Sequence, residues 1–140
     1  MTPKGRRRAR PARAVIVRSI AEGRAVLAAA RARGCRIVLR SAPGAAATVG
    51  AGWFVALAAI LREEHPDVAF EASLDCGPNP GLALAALREG AMLVRVVARP
   101  SVRAKIADIA RKSGARLDSD RRPALDLAAW LESAPGAIEN

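Results

Sequence analysis

The sequence predicts a single α/β domain of repeated strand–helix units with a mainly parallel sheet of four or five strands, and three observations predict it. Stop glycines recur ahead of strand-like runs: Gly34-Cys-Arg-Ile-Val-Leu, Gly90-Ala-Met-Leu-Val and Gly114-Ala-Arg-Leu. A glycine takes the left-handed conformation that releases a chain from a helix, so each reads as a short helix-to-strand loop. The units start near residues 14, 36, 68, 92 and 115, a spacing that holds one strand and one helix. Such alternation pairs strands in parallel through crossover helices. Lastly, apolar residues make up 51% and charged residues 26% of the 140, a globular balance, while aromatics at 3% leave the core to aliphatic side chains.

Taken in order, a strand is predicted over 14–18. Ser19-Ile-Ala-Glu22 is a capping box, in which hydroxyl and carboxylate each satisfy an orphan backbone donor, and it opens a helix over 20–33. A strand over 36–40 precedes a helix over 48–64, which His65-Pro66-Asp67 ends because proline cannot continue it. After a strand over 68–74, Asn79-Pro80 starts a helix over 80–89, with proline at the first helical position. A strand over 92–98, a helix over 102–113 capped by Ser101, a short strand over 115–118 and a helix over 123–133 complete the domain. Trp53 and Trp130 stand at helical spacing from Leu57 and Leu127 and are expected in the core.

Residues 41–61 lack any charge, a length that invites reading as a membrane span. Pro43, Gly44, Gly50 and Gly52 interrupt its first half, so it reads as a loop feeding a buried helix, and no transmembrane segment is expected.

The strand faces differ. Val68, Phe70, Ala72 and Leu74 oppose Ala69, Glu71, Ser73 and Asp75; Met92, Val94 and Val96 oppose Leu93, Arg95, Val97 and Arg99; Ile37 and Leu39 oppose Arg36, Val38 and Arg40. Two architectures accommodate these units. One is an open sheet of flavodoxin- or Rossmann-like order, in which Glu71 and Arg95 neutralise each other across the ladder. The other is a half (β/α) barrel, which resembles part of a barrel wall and would need a second copy to cover its polar face.

The domain is expected over 14–134, behind a basic, disordered arm over 1–13 and ahead of a short tail over 135–140. Of the net charge of +10, Lys4, Arg6, Arg7, Arg8, Arg10 and Arg13 supply six, leaving +4 for residues 14–140. The arm suits a polyanion, nucleic acid or an anionic membrane surface, contacted through residues 4–13. With no apolar signal stretch after the arm, a cytoplasmic location is expected. Two cysteines, Cys35 and Cys76, provide neither a disulfide framework nor a zinc site, and no metal or cofactor is expected.

In either architecture ligands bind at the carboxyl ends of the strands. Arg18, Arg40, Ser41, Arg99 and Ser101 recur there and form an anion-binding rim, with Asp118 and Ser119 after the last strand. The loop from Ser41 to Gly52 is a phosphate-loop candidate through Gly44, Thr48, Gly50 and Gly52, although it lacks the Gly-Lys-Ser/Thr of a Walker loop. In Leu74-Asp-Cys-Gly-Pro-Asn-Pro-Gly81, Asp75 is the candidate general base. Cys76, near a helix start, is a weaker nucleophile candidate with a lowered pKa. The expected function is binding of a small anionic metabolite, phosphate or carboxylate, by a homo-oligomer, with lyase- or aldolase-like catalysis as its enzymatic form. The alternative is a non-catalytic oligomeric interaction protein that docks through its arm.

Overall fold

The computed structural model describes residues 12–133; the predicted tail and all of the arm except Ala12 and Arg13 lie outside the described residues. The strands are β1 (Ala14–Ile16), β2 (Ile37–Arg40), β3 (Phe70–Asp75), β4 (Leu93–Arg95) and β5 (Arg116–Leu117). The helices are α1 (Ile20–Arg33), α2 (Ala45–Thr48), α3 (Ala51–Glu64), α4 (Pro80–Arg88), α5 (Pro100–Lys112) and α6 (Leu127–Glu132). All strand pairs are parallel, and the sheet order is β1-β2-β3-β4-β5.

That order never reverses, so crossovers of one handedness stack every helix on one side of the sheet. The contacts agree: α6 packs on α1, α1 on α3, α3 on α4 and α4 on α5. Of the two anticipated windings, this sequential one is the half-barrel's, and the sheet has no point at which strand order reverses. At its outer edge β1 also bridges Leu125 in parallel, with the Ile16 amide donating to the Leu125 carbonyl at 2.8 Å.

The apolar face carries the core. Val15, Val17, Ile37 and Leu39 pack with Val26, Leu27, Leu57, Leu61 and Trp130. Ala72, Leu74, Val94 and Val96 pack with Phe54, Ala83, Ala86 and Ile106. Helices α1 and α3 approach so closely that a Cβ on Gly23 would lie 2.5 Å from Leu61 Cδ1.

Several expectations change. The helix predicted over 48–64 starts later, as α3, after Gly50, whose φ of +87 is the left-handed side of the map, and the short α2 forms in the loop ahead of it. Ser101 is not a cap: Arg99 holds that position and Pro100 starts α5, because proline is tolerated in the first turn. The last helix starts at Leu127 with Asp126 as its cap, since residues before it are drawn into extended pairing with β1. Trp130 is fully buried as expected, but Trp53 is 40% exposed, because α3 turns Phe54, Leu57, Ala58 and Leu61 inward instead. No helix of the described residues is long and apolar enough to cross a membrane.

Candidate site on the polar face of the sheet

The register decides which polar residues meet. Arg40 lies opposite Ser73, and Asp75 lies opposite Arg95. Glu71 therefore does not face Arg95 as expected; its carboxylate is held by Arg116, with Nη2 at 2.8 Å from Oε1. This hydrogen bond holds the Glu71 carboxyl below its ordinary value.

Asp118 follows β5 and continues its ladder, its amide donating to the Val94 carbonyl at 2.8 Å. Its Oδ2 accepts from Ser73 Oγ at 2.6 Å and from Arg40 Nη2 at 3.2 Å. Oδ1 lies 3.6 Å from Arg95 Nη1 and accepts from the Asp120 amide at 3.1 Å. Strands two apart in a flat sheet are about 9–10 Å apart, too far for Asp and Ser side chains to bond, so the polar face is concave here. Both Arg40 and Asp118 side chains are 6% exposed. A buried charge is tolerated when it is paired, and Asp118 is fully engaged. Arg40 is not: its Nε is buried with no hydrogen-bond partner.

From Asp118 the chain runs as a strap across the concave face to the far edge of β1. Its fastenings are polar. Arg95 Nη1 donates to the Asp120 carbonyl at 2.7 Å and Arg13 Nη2 to the Pro123 carbonyl at 2.9 Å, while Arg122 Nη2 donates to Asp120 Oδ2 at 2.7 Å within the strap itself. The Arg122 bond pulls the Asp120 carboxyl below its usual range. On one side of the strap lies a cavity of about 490 Å³, lined by Arg36, Val38, Arg40, Glu71, Leu93 and Arg116 together with residues 118–121. Beyond the strap a second hollow of about 530 Å³ is lined by residues 95–98, Arg103 and the same strap residues. Arg103 is occupied there, donating to the Val96 carbonyl at 2.7 Å and Ser119 Oγ at 3.0 Å.

Of the residues predicted to form the site, Arg40 lines the cavity. Ser41 and Asp75 sit next to it in a clamp: the Asp75 amide donates to Ser41 Oγ at 2.9 Å, and Asp75 Oδ1 accepts from the amides of Gly44 at 3.0 Å and Gly77 at 2.8 Å. Asp75 Oδ2 lies 3.8 Å from Arg95 Nε. The Ser41–Gly52 loop directs its amides inward: Gly44 to Asp75, and Gly50 to the Ala45 carbonyl. Thr48 bonds the Ala45 carbonyl, and Gly52 lies within α3. Arg18, Arg99 and Ser101 are exposed and line neither cavity. Cys76 departs from expectation, because burial first and the Asp75 charge second push its thiol up to about 11. His65 is buried with Nδ1 3.0 Å from the Leu61 carbonyl, and no disulfide joins Cys35 to Cys76. Among the described residues no group of His, Cys, Asp and Glu is arranged to hold a metal ion.

Arg36, Ser73, Arg116 and Arg121 were missed as site residues. Arg36 and Ser73 carried a signal, since both alternate onto the polar side of their strands. Arg121 carried none, because its position depends on where the strap crosses. No protein-family model matches this chain, and no curated protein sequence matches it.

Proposed function

We propose that the protein binds a small anion, a phosphate or carboxylate, in the cavity on the polar face of its sheet. One observation carries this reading: Arg40 is buried, lines the cavity and has an Nε without a partner. An unpartnered charged donor in a low-dielectric setting favours an incoming acceptor. Arg36 and Arg121, both exposed at the same cavity, add cationic charge to its rim. The geometry supports binding more than lyase- or aldolase-like chemistry with Asp75 as base, since Asp75 already bonds two backbone amides.

The test is thermal unfolding of the full chain in phosphate and in mono-, di- and tricarboxylates at constant ionic strength, with the solution mass read in the same samples for the self-association anticipated above. A ligand present at a hundred times its Kd stabilises by about 2.7 kcal/mol. Arg36→Gln and Arg121→Gln, both at exposed positions, are expected to weaken the effect several-fold. If none of these anions raises Tm, the reading is wrong.

The second reading rests on the five cations of Lys4–Arg10. Arm-dependent binding to nucleic acid would fall steeply with salt, and neutralising Arg6, Arg7, Arg8 and Arg10 to Gln would flatten that slope.

A further inference from the structure

The seat of the anion is already filled by the protein itself. Asp118 presents its carboxylate to Ser73, Arg40 and Arg95, bonding Ser73 at 2.6 Å and Arg40 at 3.2 Å, almost wholly out of water. This is the chemistry of a bound carboxylate ligand, except that the carboxylate is tethered to the strap. We infer that Arg40, Ser73 and Arg95 form a carboxylate-binding seat, that Asp118 occupies it in the closed state, and that a ligand carboxylate enters by displacing Asp118 and lifting the strap. The inference rests on the proposed anion-binding reading and narrows its ligand from any small anion to a carboxylate.

Three features support the exchange. The seat offers its donors to two coplanar oxygens, and a tetrahedral phosphate would bring a further charged oxygen into a space where the present occupant is 6% exposed. The incoming group would inherit Ser73, Arg40 and Arg95 as partners, so the buried Arg40 keeps a carboxylate beside it through the replacement. The middle of the strap also lacks the apolar anchorage that Leu125 has at its far end, where it packs against the core. Ser119 and Arg121 are exposed, and ahead of Leu125 the strap is held by the Asp118 ion pairs and by hydrogen bonds from Arg95, Arg103 and Arg13. Strap residues 118–121 separate the two hollows, so lifting them would join both into one groove along the polar face.

The experiment uses the full chain. Asp118→Ala is expected to lower Tm by at least about 5 °C. Sodium formate should return half of that loss or more relative to sodium chloride at equal ionic strength, and phosphate should return none. Wild type, with its own carboxylate in place, should respond to formate less than the variant does. Equal Tm of the variant in formate and chloride, or equal rescue by phosphate, overturns the inference. Should the variant not fold in chloride, its refolding yield in formate against chloride is read the same way, and equal failure in both counts against the seat.

A second measurement uses wild-type protein and hydrogen exchange. With a di- or tricarboxylate that raises Tm, the amides of Asp120, Arg122 and Leu125, which are bonded in the closed state, should exchange faster while the helices slow. Protection of these amides by the ligand would mean that the strap stays down, and it would also overturn the inference. Wild-type stabilisation without formate rescue of Asp118→Ala leaves the broader reading standing and removes the seat. Rescue without any wild-type stabilisation shows that the seat takes a carboxylate but removes both the broader reading and the displacement of Asp118.

Discussion

Arg40 and Asp118 show how little a residue's type says about its role until its neighbours are known. Both are ionic groups at strand ends, where solvation is the ordinary state, yet both are buried because the sheet curls over them. Cys76 makes the complementary case. A helix follows it, which by itself lowers a thiol pKa, but the side chain is 2% exposed and lies beside the Asp75 charge. Burial wins, and the thiol is raised to about 11. A raised value stabilises the folded state below the ordinary thiol pKa, and that contribution is lost as pH climbs through about 11. Native protein at pH 8 should therefore leave Cys76 almost unmodified by iodoacetamide, while denatured protein reacts fully; peptide mass mapping checks both, and rapid native labelling would contradict the assignment.

At the scale of elements, helix ends were the most legible feature. Ser19 accepts from the Glu22 amide, and Asn79 accepts from the Leu82 amide at 3.1 Å, as the capping motifs predict. Asn79→Ala should cost about 1 kcal/mol, read as a shift in the urea midpoint without a change in slope. The α1–α3 crossing was not legible, since nothing near Gly23 in the sequence signals that Leu61 will lie against it. Gly23→Val should cost roughly 1–3 kcal/mol through overpacking, and a variant as stable as wild type would show that Leu61 has room to move. Only the end of the strap, residues 123–126, falls within the helix that the sequence predicts over 123–133. Its residues Pro123–Leu125 have no pattern that outweighs helical spacing, and only pairing with β1, distant in sequence, makes them extended.

For the whole molecule, ion pairs on the polar face set the response to acid. Glu71 and Asp120 have carboxyl values lowered by Arg116 and Arg122. A lowered value contributes stability that is fully present above the ordinary carboxylate range, and that stability is lost as pH falls below that range and through the folded values. Acid unfolding should thus steepen below the ordinary carboxylate range, and Asp120→Asn should flatten the dependence; an unchanged acid transition in that variant would show that the Asp120 pair contributes nothing. The same face explains the failed Glu71–Arg95 pairing. Alternation told which side each residue faces, but not how far β4 slides along β3, which puts Arg95 beside Asp75.

The sequence by itself determined the alternation of strands and helices, the termini of most helices and the division of the sheet into an apolar and a polar face, because these follow from local backbone chemistry and from the period of the side chains. Tertiary structure alone decided the strand order, the register and the path of the strap, and with them the meeting of Arg40, Ser73, Arg95 and Asp118. Those are contacts between residues as many as 78 positions apart, and no local rule encodes a neighbour that the chain reaches only by folding.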